Sequence, residues 1–97
     1  MLKRTALSAT DIDARLRDLA GWTYTGGQLH RELQFRDFSE AFGFMARVAL
    51  EAEKLNHHPD WRNVWSKVVL DLSTHDAGGV TESDFELARR VEALLTR

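Results

Sequence analysis

The residues best suited to chemistry stand together between Glu53 and Trp61. They are two adjacent histidines, His57 and His58, the chain's only proline, Pro59, a tryptophan, and the acids Glu53 and Asp60. An imidazole titrates near neutral pH, at about 6.5, so it can give or take a proton under ordinary conditions. The helical pattern that leads into this stretch cannot run through it, because proline disfavours helical backbone at the residue before it. The pair therefore sits on a rigid corner, beside the negative end of a helix dipole. Taken alone, a His-His pair also fits a plain exposed turn; a distant third histidine, His75, sets this one apart. Three uses for such a set compete. The first is a three-histidine metal centre with water in the fourth position; adjacent histidines diverge and no His-Glu-x-x-His is present, so no metal is expected. The second is hydrolysis by a serine–histidine–acid set, for which the Gly-x-Ser-x-Gly elbow is missing. The third is general acid–base catalysis without a cofactor.

The elements that must position these residues follow from periodicity and capping. After a lead-in over residues 1–7, Ser8 with Asp11, or Thr10 with Asp13, predicts a helix start. Ile12, Leu16 and Leu19 share its apolar face, and Gly21 ends it. Trp22 to Tyr24 reads as a short strand, Gly26-Gly27 as a turn, and Leu29 to Phe35 as a second strand with apolar residues at alternate positions. His30 falls on the polar side of that alternation and is expected to be solvated. Asp37 with Glu40 predicts the start of the longest helix, about Phe38 to Asn56. Its apolar stripe runs Phe38, Phe42, Met45, Val48, Ala49, Ala52, Leu55. Phe44 and Leu50 lie off that stripe, a second apolar face of the kind that meets another subunit.

Past Pro59, residues 61–65 and 68–73 read as strands, either joined by a tight turn at Ser66-Lys67 or run together. Thr74 to Gly79 is a polar, glycine-containing loop. Thr81 with Asp84 is a capping arrangement for a last helix with Phe85, Ala88, Val91 and Leu94 as its stripe. The order is α-β-β-α-β-β-α: an α+β fold with a four-stranded antiparallel sheet and helices packed on one face. If the third and fourth strands pair as a hairpin, its open end brings His57, His58 and His75 to one place, with Glu53, Trp61 and Asp84 nearby.

The totals narrow the choice. Ninety-seven residues make a single domain, 1–97, that buries only about 60–65% of its unfolded surface, so oligomerisation is a natural supplement. A formal charge of -2 offers no electrostatic footprint for nucleic acid. Without cysteine there is no disulfide framework and no thiolate site, which fits the cytoplasm. No apolar run approaches the ~18 residues of a membrane span, and no secretory leader is expected.

Glu53-Lys54-x-x-His57-His58-Pro59, followed at these separations by Trp65, His75 and Asp84, resembles the signature of the pterin-4a-carbinolamine dehydratases. The resemblance extends to Phe35-x-Asp37-Phe38-x-x-Ala41-Phe42-Gly43-Phe44-Met45 and Ser73-Thr74-His75, and covers about Leu7 to Val91. It implies loss of water from a 4a-hydroxytetrahydropterin to give the quinonoid dihydropterin, which recycles the cofactor of an aromatic amino acid hydroxylase, typically phenylalanine hydroxylase. It implies that His57 and His75 move protons while His58 holds the pterin and supports transfer, with no cofactor. It further implies that Glu53 fixes a histidine's orientation or charge and that Trp61 walls the pocket, and it gives Asp84 a place in the site as well as in a helix cap. Asn56 and the backbone up to His58, with Ser73, Thr74 and Asp76, would face the pterin's amide-like edge. A homodimer or homotetramer is implied. Some relatives instead serve as binding or assembly proteins, coactivators among them, and those that abandon catalysis tend to lose the histidines kept here.

Overall fold

The computed structural model describes residues 5–96. Helix α1, Ala9–Leu16, begins where the Ser8 side chain accepts the backbone N–H of Asp11 at 3.2 Å. Strand β1, Thr23–Thr25, turns through Gly26 and Gly27 into β2, Gln28–Gln34. Helix α2 spans Phe38–Leu55, β3 spans Asp60–Val64 and β4 spans Lys67–Leu72. A single 3-10 turn, His75–Ala77, leads to α3, Glu82–Leu95. The four strands form one antiparallel sheet in the order β1-β2-β4-β3, so the two hairpins meet along β2 and β4. This is the α+β arrangement that alternation and capping predict.

The core lies between one face of the sheet and the helices. Leu29 and Leu33 of β2 and Val68, Leu70 and Leu72 of β4 pack against Ala41, Phe44, Val48 and Ala52 of α2 and against Phe85, Ala88 and Val91 of α3. Arg31 points to the same side as Leu29 and Leu33. It is tolerated because its guanidinium bonds both carboxylate oxygens of Glu92 on α3, at 3.1 and 3.4 Å, where Trp22 Nε1 also donates to Glu92 at 2.8 Å. Gly21, at φ 91°, lies so close to the Arg31 guanidinium that a Cβ there would collide with it.

Four sequence expectations need correction. Helix α1 stops at Leu16, and Leu19 and Trp22 reach the core from the irregular segment after it, outside α1 and β1 respectively. On α2 the buried arc is Ala41, Phe44, Val48 and Ala52, so Phe44 is core while Phe38 and Phe42 are 51% and 58% exposed. The arcs adjoin, and an apolar count along the helix merges them. The β3–β4 turn is centred on Trp65-Ser66 rather than Ser66-Lys67, with Trp65 at φ 52°. The side-chain amide of Asn63 holds that turn, donating to the carbonyls of Trp65 at 3.0 Å and Lys67 at 2.8 Å. Finally, His30 is not simply solvated. On the sheet face away from the helices it sits half-buried between Asp71 of β4 (Nδ1 to Oδ1, 2.6 Å) and Glu32 (Nε2 to Oε2, 2.9 Å). The Asp71 bond first and the Glu32 bond second raise its pKa above the ordinary histidine value. Among the described residues, no helix is long and apolar enough to cross a membrane.

Candidate active site

The corner that carries the histidine pair is made by one residue. Asn56 closes α2 in the left-handed conformation, at φ 50° and ψ 44°, which asparagine tolerates better than most side chains. Its N–H reaches the carbonyls of Ala52 and Glu53, and the N–H of His57 returns to Ala52 at 3.1 Å. With the last turn of the helix satisfied in this way, the chain reverses and the two imidazoles part. His57 turns inward and is only 5% exposed; His58 turns outward.

His57 meets a fully buried carboxylate. Its Nε2 lies 2.5 Å from Oδ1 of Asp84 in the first turn of α3. The other oxygen, Oδ2, accepts the Thr81 backbone N–H at 2.8 Å and the Thr74 hydroxyl at 2.9 Å. The capping box of α3 is therefore one wall of the site: Thr81 is the N-cap, Asp84 returns the bond to it, and the same carboxylate extends to His57. Counting donors fixes the direction of the chain. Thr74 spends its one proton on Asp84, so the Thr81 hydroxyl, 2.7 Å away, donates to Thr74, and Thr81 oxygen accepts the Ser83 N–H at 3.2 Å. Every group that touches Asp84 donates, as a carboxylate requires, so His57 gives it the Nε2 proton. The neutral imidazole then keeps its lone pair on Nδ1.

His58 Nε2 lies 2.6 Å from Glu53 Oε1, an exposed pair on the last turn of α2. His75 opens the 3-10 turn that follows β4; its backbone is set by Thr74, which pairs with Gly79 as an isolated bridge, and by Gly78 at φ 72°. The three histidines line one cavity of about 210 Å³, together with Asn56, Ser73, Thr74 and Asp76. Other residues singled out in the sequence lie elsewhere. Glu53 and Asp84 stand behind histidines rather than on the cavity wall. Trp61 pairs opposite Leu70 on β3 and packs against the core, so it does not wall the cavity. Trp65 is exposed at the turn, the opposite end of the hairpin from the histidines. Thr81 was legible only as a cap; its hold on Asp84 and Thr74 needs the tertiary fold. Among the described residues, no three or more histidines and carboxylates are grouped as metal ligands.

The family profile described as Pterin 4 alpha carbinolamine dehydratase matches residues 5–94. The chain belongs to the pterin-4a-carbinolamine dehydratase family. It is a family of hydro-lyases, and the match spans nearly the whole chain. A protein of Bradyrhizobium sp. (strain ORS 278) named for this dehydratase is 57% identical over 90 residues, covering 91% of this chain and 90% of its own length. One from Solibacter usitatus, named likewise, is 52% identical, covering 93% and 95%. The crystal structure of a transcriptional coactivator/pterin dehydratase from Brucella melitensis superposes with a TM-score of 0.89 at 44% identity, over 93% of this chain and 98% of that one. Membership in the pterin-4a-carbinolamine dehydratases accords with a site that is rich in imidazole and ordered around a buried carboxylate.

Proposed function

We propose that the protein removes water from a 4a-hydroxytetrahydropterin by histidine acid–base catalysis, giving the quinonoid dihydropterin. The bond from C4a to its hydroxyl oxygen breaks, and the hydroxyl takes a proton and leaves as water. N5 gives up its proton, and a double bond forms between N5 and C4a. One observation carries this reading: imidazoles from two distant parts of the chain line a single cavity, one of them locked to Asp84 with its other nitrogen uncommitted. His57, whose lone pair sits on Nδ1, is the base for the N5 proton. His75 is open to water, from which it can be reprotonated, and is the acid for the leaving hydroxyl. His58, steadied by Glu53, holds the ring and supports transfer. Asn56, Ser73, Thr74 and Asp76 with their backbone face the amide-like edge. Groups of this kind each contribute roughly 10²–10⁴-fold in rate.

The test is turnover of a freshly generated 4a-hydroxytetrahydropterin against its spontaneous dehydration. His75→Ala is the cleaner variant, because His75 is exposed and its loss leaves no buried partner unpaired. We expect kcat to fall by about 10²–10⁴-fold with unchanged circular dichroism, and the alkaline limb of a bell-shaped pH profile to disappear. A chelator should leave the rate unchanged. Wild-type turnover no faster than the spontaneous reaction would overturn the reading.

The same reading includes a homodimer or homotetramer in the cytoplasm that recycles the cofactor of an aromatic amino acid hydroxylase such as phenylalanine hydroxylase. The exposed Phe38 and Phe42, in tilted contact with ring centroids 5.8 Å apart, support assembly. That face, with the coactivator in the Brucella relative's name, also favours a second, non-catalytic binding role.

A further inference from the structure

Thr81 does more at the head of α3 than a helix cap requires. A cap needs only an acceptor: the Thr81 oxygen takes the Ser83 N–H at 3.2 Å, and an aspartate oxygen would serve as well. A hydroxyl also has a proton to give, and Thr81 directs its own to Thr74 Oγ1 at 2.7 Å. Thr74 in turn donates to Asp84 Oδ2 at 2.9 Å, and Oδ1 of the same carboxylate holds the Nε2 hydrogen of His57. Thr74, Thr81 and Asp84 are all buried, where the low dielectric strengthens such bonds and each donation polarises the next. The cap of α1 offers a contrast. Ser8 accepts the Asp11 N–H at 3.2 Å, and its side chain stands at the exposed surface.

A carboxylate can turn about the bond that carries it. Oδ2 is held by two donors, the Thr81 N–H at 2.8 Å and the Thr74 hydroxyl, which pins the plane of the group and leaves Oδ1 to His57. The Thr74 hydroxyl can itself rotate. With a proton from Thr81 already on its oxygen, its own proton is left for Asp84. Resting on the dehydratase reading, we propose that Thr81 is a positioning residue for proton transfer. It acts through Thr74 to fix the Asp84 carboxylate, and through Asp84 to fix the direction in which His57 presents Nδ1. Thr81 does not line the histidine cavity, so its influence should fall on the chemical step and not on ring binding.

The experiment measures kcat and KM for a 4a-hydroxytetrahydropterin. Thr81→Ala keeps the backbone N–H on Asp84 and removes the hydroxyl; kcat should fall by about three- to tenfold, the weight of one net hydrogen bond, with KM unchanged. Thr81→Gly, which caps a helix nearly as well as threonine, should lose kcat to the same extent. Thr81→Ser should restore it. Thr74→Val cuts the chain nearer its end and should lower kcat by about tenfold or more, because the bond removed is to a charged group. In that background Thr81→Ala should lower kcat no further, since the Thr81 hydroxyl acts only through Thr74. An unchanged kcat in Thr81→Ala, a loss that serine does not rescue or that glycine avoids, or losses that multiply in the double variant would leave Thr81 as a cap alone and overturn the proposal. Wild-type turnover no faster than the spontaneous reaction would instead overturn the dehydratase reading on which it rests.

Discussion

Asp84 touches no part of the cavity, yet the protonation pattern of the site depends on it. Its two oxygens are filled by donors from Thr81, Thr74 and His57, and none of these bonds reaches solvent. Asp84→Asn preserves shape but introduces a donor where only acceptors fit. The amide would face either the Thr74 hydroxyl or the His57 N–H, and the imidazole would yield by moving its proton to Nδ1, the nitrogen needed as base. We therefore expect Asp84→Asn to lower kcat by about 10²–10⁴-fold with a much smaller change in KM, since a misplaced tautomer harms the proton transfer and not ring binding. The buried mismatch should also cost about 1–3 kcal/mol of stability in urea unfolding. His57→Ala is less clean for the same reason: it leaves the carboxylate without a partner.

At the scale of elements, α2 carries two apolar arcs with different fates. Ala41, Phe44, Val48 and Ala52 meet the sheet and α3, and Phe44 also contacts the Phe35 ring at a centroid distance of 4.9 Å. Phe44→Ala is expected to cost about 3–5 kcal/mol in denaturant unfolding. Phe42→Ala should change the stability of a dilute sample by only about 0.5 kcal/mol or less. Any larger cost should grow with protein concentration, because only assembly would bury that ring. Here the limits of the sequence are plain. Period-two alternation exposes β2, the glycine pair exposes its turn, and Asp37 and Thr81 announce α2 and α3, because each of these signals is local. Which arc of α2 faces inward is settled by how the helix is rolled on the sheet, and seven apolar positions at helical spacing are compatible with more than one roll. The Trp65-Ser66 turn was illegible for another reason: a bulky residue in left-handed backbone contradicts local preference and is held there by Asn63. The histidine cluster was legible through the spacing that resembles the family signature. The Asp84–Thr74–Thr81 chain behind it was not, because it joins residues whose local roles are already filled by capping.

At the scale of the whole molecule, the sheet separates two electrostatic environments. The helix side buries the apolar core together with the Arg31–Glu92 and His57–Asp84 pairs, while the other side carries His30, Glu32, Asp71 and Lys67. His30 faces Asp71 across β4 and Glu32 along its own strand. Lys67 bridges to Glu32 at 3.3 Å, Thr23 stands opposite His30 on β1, and Asp60 stands opposite Asp71 on β3. Its pKa is raised in the folded state, chiefly by the Asp71 bond. The stability that His30 supplies is therefore complete below the unfolded value of about 6.5 and is lost as pH rises through the higher folded value. Being partly exposed, the pair is screened, and about 0.5–1 kcal/mol is the expected scale. Unfolding of wild type and His30→Gln should differ by that amount near about pH 6 and converge near about pH 9; a difference that grows with pH would contradict the assignment.

The left-handed torsion at Asn56 has a consequence for how the neighbouring pair communicates with water. One backbone angle sends the first imidazole to a buried carboxylate at the back of the cavity and leaves the second exposed. The Nε2 hydrogen of His57 should consequently exchange slowly and resonate far downfield in a proton spectrum, while that of His58 should vanish into the solvent signal. Two identical side chains, adjacent in the chain, would then report opposite sides of the molecular boundary.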